Sequence, residues 1–489
     1  MLGIKQFKQF CLIGIIASLT ISSAFAREPA DTMNVLVPFS EPLPEDNFTI
    51  FLENLTAITN IHQMDAQGLA QGQSSFEPWA GSYWPIHQGL LGLRFADENF
   101  PKSKQFIQNY SSYQSRPSES LVSMGEINKL SPAEKYDLLI GDRNWTLTKH
   151  MWQKGLAGYE QDGFVATWTG ICHGWSAATS MGVKQPEKSV TVSDVTGTYR
   201  ITFYPQDIKG LQSYLWANSA PTSVQAGNRC RQSFVDRDPF LRPLDPTCLD
   251  SNPMTWHLAA TNRIGVSKRS FVMDSSSGTE VWNYPILSYD YSYFNPRTFV
   301  SSHSLKASIE PTEMLKADKY AAHRSPRAKY VVGVAMDVFH PALVSPRTGA
   351  SSGNVLHTLP FIYDLELDEN FIIVGGEWYS KDRPDFLWSF PKDSTAMTRE
   401  DSMVTGGWDI LVPMSADIAK KAKAAAGRGK VMSTITGALH AASLGESSEH
   451  VGPDDPIDSA NPALPTDPNP VVVPPVAPPE NPEDPLPGA

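Results

Sequence analysis

An α+β fold is predicted, with helices concentrated in the N-terminal half, strands in the C-terminal half, and one cysteine-bearing helix where the two meet. Three observations predict it. Helix-start signals gather before residue 220. Period-two apolar segments dominate after residue 255. Between them Cys172 stands among Gly170, Gly174 and Trp175, followed by Ser176, Ala177 and Ala178, small residues that suit a helix packed closely on a sheet.

Residues 1–26 have the pattern of a cleaved signal peptide. Lys5 and Lys8 precede a short apolar stretch from Cys11 to Ile21, and Ala24 and Ala26 supply a small-x-small cleavage site, so the cut is expected after Ala26. A short membrane anchor is the alternative. No later run approaches the roughly 18 apolar residues of a transmembrane helix, so a secreted or periplasmic protein without stable membrane insertion is expected. Residues 27–150 form a mainly helical region with weak periodicity from Phe48 to Ile61, and its poorly patterned start could be a removable pro-segment. Ser131, Pro132 and Glu134 supply an N-cap, a first-turn proline and a capping-box acid for a helix ending near Ile140.

Residues 151–300 form the predicted core. The alternation over 197–204 predicts a strand, and 208–218 a helix. Strands are predicted over Thr255–Ile264 and Ser270–Met273, with Gly265–Arg269 as the turn between them. Residues 301–444 are β-rich, with strands at 329–338, 359–367 and 371–378, a turn at Asp368–Asn370, and an Ala- and Lys-rich helix over 415–426 that stops near Gly427. The tail, 445–489, carries thirteen prolines and nine acids with no lysine or arginine. Such a segment cannot bury a core and is expected to be extended, as a spacer or a solubilising tail.

Formal net charge is −12, much of it in that tail. A mildly acidic body argues against nucleic-acid partners and against a polybasic membrane patch. Asp364, Glu366, Asp368 and Glu369 alternate along a strand and are assigned to a solvated face. Nothing matches an EF-hand loop, so no metal and no cofactor are expected.

Three cysteines remain after signal removal. Cys230 and Cys248, 18 apart in a polar loop, are expected to form a disulfide worth about 3 kcal/mol. Cys172 is left alone. At a helix N-terminus the dipole and free N–H groups favour a thiolate and can hold an oxyanion, which is what a cysteine nucleophile requires. A buried structural thiol is the competing assignment. For a base, His173 is a poor partner because neighbours on a helix do not face each other. His257, at the start of its strand, is the better candidate, with Asp274 across the hairpin to accept its N–H. Asn262 is a second candidate for orienting the ring.

Cys172 on a helix, His257 on a strand and Asp274 shortly after it resemble the papain-like transglutaminase core. Val281-Trp282-Asn283-Tyr284-Pro285 resembles the Val-Trp-Asn-Gln-Pro signature of the transglutaminase elicitor family of oomycete cell-wall transglutaminases. Tyr284 stands where that motif has Gln, and Leu287-Ser288-Tyr289 where it has Arg-Gly-Phe, so the plant-recognised character of the family peptide does not carry over. Trp79 to Pro85, Leu130 to Asp142 and Gly170 to Ala178 are also similar, and the likeness spans roughly residues 75–390. It implies a papain-like fold and protein-glutamine γ-glutamyltransferase activity. Cys172 would form a thioester with a glutamine side chain, and a lysine or small amine would resolve it. His257 would serve as base and then acid, and Asp274 would orient it. The Cys172 N–H would hold the oxyanion, with Trp168 or Trp145 as a second donor. The Trp-rich segments at 79–84, 145–175 and 282 could line a water-excluding tunnel. The same triad would also serve a papain-like cysteine peptidase or a glutamine deamidase, and a non-catalytic secreted binding protein is the remaining alternative.

Overall fold

Sequence signals set the helical half closely. The computed structural model describes residues 40–445, apart from 54, 233, 239–241, 277 and 350–353. The signal peptide and the Pro-rich tail lie outside the described residues. The principal helices are α1 (Phe106–Ser115), α2 (Pro132–Leu139), α3 (Thr146–Asp162), α4 (Cys172–Ser180) and α5 (Pro205–Ser219), then α6 (Pro253–Ala259), α7 (Ala416–Ala426) and α8 (Ser433–Leu444). The predicted capping box on α2 is present in both directions between Ser131 and Glu134. The helix expected over 415–426 is α7, with Ser415 as its N-cap.

The strands are β1 (Gln71–Gln73), β2 (Val190–Ser193), β3 (Arg200–Phe203), β4 (Val224–Ala226), β5 (Val272–Asp274), β6 (Asn283–Pro285) and β7 (Ser288–Phe294). They continue with β8 (Ser301–Ser302), β9 (Ile309–Pro311), β10 (Tyr330–Pro341), β11 (Leu356–Leu367), β12 (Ile373–Gly375) and β13 (Leu387–Ser389). All recorded ladders are antiparallel. A seven-stranded sheet runs β1-β7-β10-β11-β12, with β8 on β7 and β9 on β10. A four-stranded sheet runs β4-β13-β5-β6, and β2 and β3 form a separate pair. The α+β class expected from sequence is what the chain adopts.

Two hydrophobic cores result. One lies in the helical half, around Trp79, Trp84, Trp152, Trp175 and Tyr136, and includes Cys172. The other lies against the seven-stranded sheet, around Trp256, Phe271, Tyr289, Phe361 and Tyr363. Tyr284 on β6 packs against both. Residues from Ser40 onward, expected to be weakly ordered, are built into the second core through Phe48, Phe51, Ile61 and Met64.

Two expectations fail here for identifiable reasons. Residues 255–264 are helical rather than extended: α6 continues into a π-helical stretch over Ala260–Val266. Asn252 caps its start, accepting from the Met254 N–H at 2.8 Å, and Pro253 occupies the first helical position, where its missing N–H costs nothing. Asp364 and Glu366 do not lie on a solvated face. Both are fully buried, held by Arg324 at 2.7 and 3.1 Å. An arginine some forty residues distant turns an apparent surface stripe into an interior ion cluster. Among the described residues no helix is long and apolar enough to cross a membrane.

Candidate active site around Cys172

The loop before α4 is stitched to the segment at 83–86. The Ile171 N–H donates to the Tyr83 carbonyl at 2.7 Å and the Ile86 N–H to the Thr169 carbonyl at 2.9 Å. Gly170 is required there, since a Cβ would lie 2.3 Å from the Tyr83 oxygen. Gly174, the third residue of the helix, lets α4 meet α5 so closely that a Cβ would fall 2.1 Å from the Ser213 carbonyl. The Trp175 indole donates to the Trp79 carbonyl at 2.9 Å. These contacts fix Cys172 as the first residue of α4, buried at 5% exposure.

The thiol meets β6. The Asn283 side-chain amide donates to Sγ at 3.4 Å, and Sγ donates weakly to the Val281 carbonyl at 3.7 Å. The Trp388 indole N–H donates to Asn283 Oδ1 at 2.7 Å. An indole can only donate, so it fixes the amide with its NH₂ toward the sulfur. Burial pushes the Cys172 thiol above its usual range. The side chain and backbone N–H of Asn283, and the His173 N–H, oppose that rise by favouring the thiolate, while the Asp274 carboxyl adds to it.

Asp274 ends β5 directly across from Asn283 in the ladder. Its Oδ1 accepts from the N–H groups of Trp282 at 2.8 Å and Ser276 at 3.2 Å. Its Oδ2 is buried with no hydrogen-bond partner among the described residues. Burial raises this carboxyl to about 7 against those two N–H groups. Tyr83 and Tyr284 also face the thiol, and Tyr83 meets Trp282 edge to face at 5.5 Å.

His257 is placed elsewhere, and its expected partnership with Asp274 is corrected. It lies on α6, with Nδ1 2.8 Å from the Tyr363 hydroxyl and its ring 5.1 Å from that of Tyr291. Its Nε2 is buried without a hydrogen-bond partner among the described residues, and burial pushes the ring down to about 3. The segment Gly265–Arg269 is not a hairpin turn, because β5 pairs with β6 and β13. Asn262 clamps Ile58, accepting from its N–H at 2.8 Å and donating to its carbonyl at 3.0 Å, and does not orient His257. Trp168 lies under the Arg229 guanidinium at 5.8 Å, and Trp145 caps α3 in a left-handed conformation. The expected disulfide between Cys230 and Cys248 is present.

Three residues of this corner have no role assigned from sequence. Asn283 lies within the Val281–Pro285 signature without a part in the chemistry, and Trp388 lies in no motif. His340, near the end of β10, meets the Tyr284 ring at a tilt with centroids 4.2 Å apart, and its Nδ1 lies 3.0 Å from the Pro341 carbonyl. Burial lowers it to about 4. With His357, Ser275 and Tyr284 it lines an open cavity of about 430 Å³. Among the described residues no group of three or more His, Cys, Asp or Glu side chains is placed to hold a metal.

No curated protein matches this sequence. Among solved structures, the GP42 transglutaminase from Phytophthora sojae is similar at 19% identity and a TM-score of 0.48, over 79% of this chain and 98% of that one. The family described as Transglutaminase elicitor matches residues 50–405, most of the chain and the whole of the Cys172 corner, and this protein therefore belongs to the transglutaminase elicitor family.

Proposed function

We propose that the protein is an exported protein-glutamine γ-glutamyltransferase with Cys172 as nucleophile and Asp274 as its proton acceptor and donor. The observation that carries this is the placing of three groups on α4 and on the β5–β6 ladder beside it, with Asp274 directly across from the Asn283 that touches the thiol. The three are a thiol on the first residue of α4, the Asn283 amide directed at its sulfur, and a buried carboxyl with one unpartnered oxygen on the facing strand. Family membership supports a transglutaminase-related function for the chain.

In the proposed reaction the Cys172 proton passes to Asp274 as Sγ attacks the γ-carboxamide carbon of a glutamine side chain. The oxyanion that forms is held at the start of α4 by the Cys172 N–H. When the C–N bond breaks, Asp274 returns the proton and ammonia leaves, giving a thioester. A lysine or small amine then attacks the thioester carbon, its proton goes to Asp274, and the C–S bond breaks with the proton returning to sulfur. The product is an isopeptide bond. A carboxyl raised to about 7 is matched to giving and taking protons near neutral pH. Tyr83, Trp282 and Tyr284 around the thiol support aminolysis over hydrolysis, because an aromatic rim limits water at the thioester.

The test is incorporation of a labelled primary amine into a glutamine-bearing protein, wild type against Cys172→Ala. Incorporation that disappears in the variant is expected. Cys172-dependent ammonia release or peptide cleavage without incorporation would replace the transferase with a deamidase or a peptidase on the same scaffold.

A further inference from the structure

Asp385 immediately precedes the strand region that lies against β5, and its backbone is tied to that of Asp274. The Asp385 N–H donates to the Asp274 carbonyl at 3.1 Å, and the Asp274 N–H donates to the Phe386 carbonyl at 2.9 Å. Both side chains are fully buried. Three carboxyl oxygens, Asp274 Oδ2 and both of Asp385, have no hydrogen-bond partner among the described residues. Two fully ionised carboxylates in this state would each bear a large desolvation cost and would repel each other.

The charged groups facing the pair leave that cost uncompensated. Arg229, after β4, acts on both carboxyls. Asp250, before α6, is ion-paired with Arg383 and also feels Arg237, yet its charge still opposes ionisation of the pair. From α4 and β6, Cys172 and Tyr284 feel the Asp274 charge as repulsion. One guanidinium thus faces two carboxyls.

We propose that Asp385 and Asp274 hold a single proton between them, carried by Asp385, whose O–H supplies the donor that Asp274 Oδ2 lacks and keeps Asp274 ionised as the partner of Cys172. Asp385 is then a positioning residue, acting on the thiol only through Asp274. The inference rests on the proposed role of Asp274 and adds the group that sets its proton occupancy. Asp274 Oδ1 accepts two backbone N–H groups that favour its charged form, whereas neither oxygen of Asp385 has a hydrogen-bond partner among the described residues, so the proton stays on Asp385. Burial raises both, Asp274 to about 7 and Asp385, with Asp250 and Asp274 as like charges, to about 8. The backbone N–H of Cys230 is directed at Asp385 and tempers that rise. The two carboxyls titrate as a coupled pair. Once the shared proton is lost, the second negative charge discourages the Cys172 thiolate.

The experiment uses the full chain and Asp385→Asn, which keeps a donor but cannot ionise. Asp385→Ser keeps an O–H in less volume and serves if the Asn variant does not fold. The first readout is the rate of Cys172 alkylation by iodoacetamide against pH. Variant and wild type should coincide near pH 7, and the variant should react about three- to tenfold faster above the Asp385 titration, the effect of removing one adjacent charge. The second is the infrared difference between wild type and variant, which should contain a protonated-carboxyl band at pH 7 that vanishes as the pH rises past Asp385's titration. Superimposed alkylation profiles without that band would overturn the proposal. So would one equivalent of a tightly held cation in the wild type that is missing from the variant. Both readouts report on the thiol and the carboxyl directly, so a protein that transfers no acyl group can still give the expected pattern.

Discussion

Cys172 and His257 are both buried, each on a short helix, yet their surroundings differ in kind. Around Cys172 the buried surface is studded with groups that answer a changing charge: the Asn283 amide, a helix start, and a carboxyl with a free oxygen. Around His257 the neighbours are tyrosines of the seven-stranded sheet, Tyr291 and Tyr363, and one ring nitrogen has no hydrogen-bond partner among the described residues. Burial shifts both groups away from their charged forms. Only at Cys172 do fixed donors oppose the shift. A perturbed buried group marks a site only where its partners would stabilise the other protonation state.

The sharpest way to break this comparison is to remove a proton acceptor from each region. Asp274→Asn keeps an oxygen for the Trp282 and Ser276 N–H groups but cannot take a proton. Amine incorporation should fall about 10²–10⁴-fold, the usual contribution of a positioned acid-base group, with the thermal midpoint little changed. His257→Gln should leave incorporation per folded molecule within about twofold, since its cost is structural, about 1–3 kcal/mol for disturbing a buried hydrogen bond to Tyr363. If His257→Gln lost activity on the scale of Asp274→Asn while remaining folded, the Cys-His-Asp arrangement would regain its claim.

A smaller effect sharpens the Cys172 side. Asn283→Ala removes the donor to sulfur and strands the Trp388 indole. A hydrogen bond to a charged group is worth about 1.5–3 kcal/mol, so incorporation should drop roughly ten- to a hundredfold. The pH at which Cys172 becomes reactive to iodoacetamide should rise together with that loss. Loss of incorporation with unchanged thiol reactivity would move Asn283 from thiolate stabilisation to substrate positioning.

Much of this was legible in the sequence, and the failures share a cause. Local chemistry set the α2 capping box, the Ala- and Lys-rich helix α7, the Cys230–Cys248 bridge and the helix beginning at Cys172. The Asn252-Pro253 start of α6 was equally local, but the aromatic and β-branched residues after it gave a stronger strand signal, and His257 went with them. What could not be seen locally is who faces whom. Trp388 orients Asn283 from 105 residues away, the Asp385 backbone meets that of Asp274 from the segment before β13, and Arg324 pairs with Asp364 from 40 away. Strand alternation tells which residues share a face but not what covers it. The segment Val281–Pro285 marked the right place through family likeness, while the contact that matters, the Asn283 amide on sulfur, needs the fold.

The last test concerns only the His257 side. Its folded value of about 3 lies below the ordinary histidine value of 6.5. Between those limits an unfolded chain binds a proton at His257 and the folded chain does not. Acid therefore favours unfolding, and stability falls as pH drops below about 6.5, by at most about 1.4 kcal/mol per unit. His257→Gln has no such titration. The stability gap between wild type and variant, read from urea midpoints, should therefore narrow from pH 7 to pH 5 by up to about 2 kcal/mol. A gap that stays constant would mean that His257 takes up its proton in the folded state, which requires an acceptor the tyrosine-lined core does not offer and would bring an anionic partner back into play beside it.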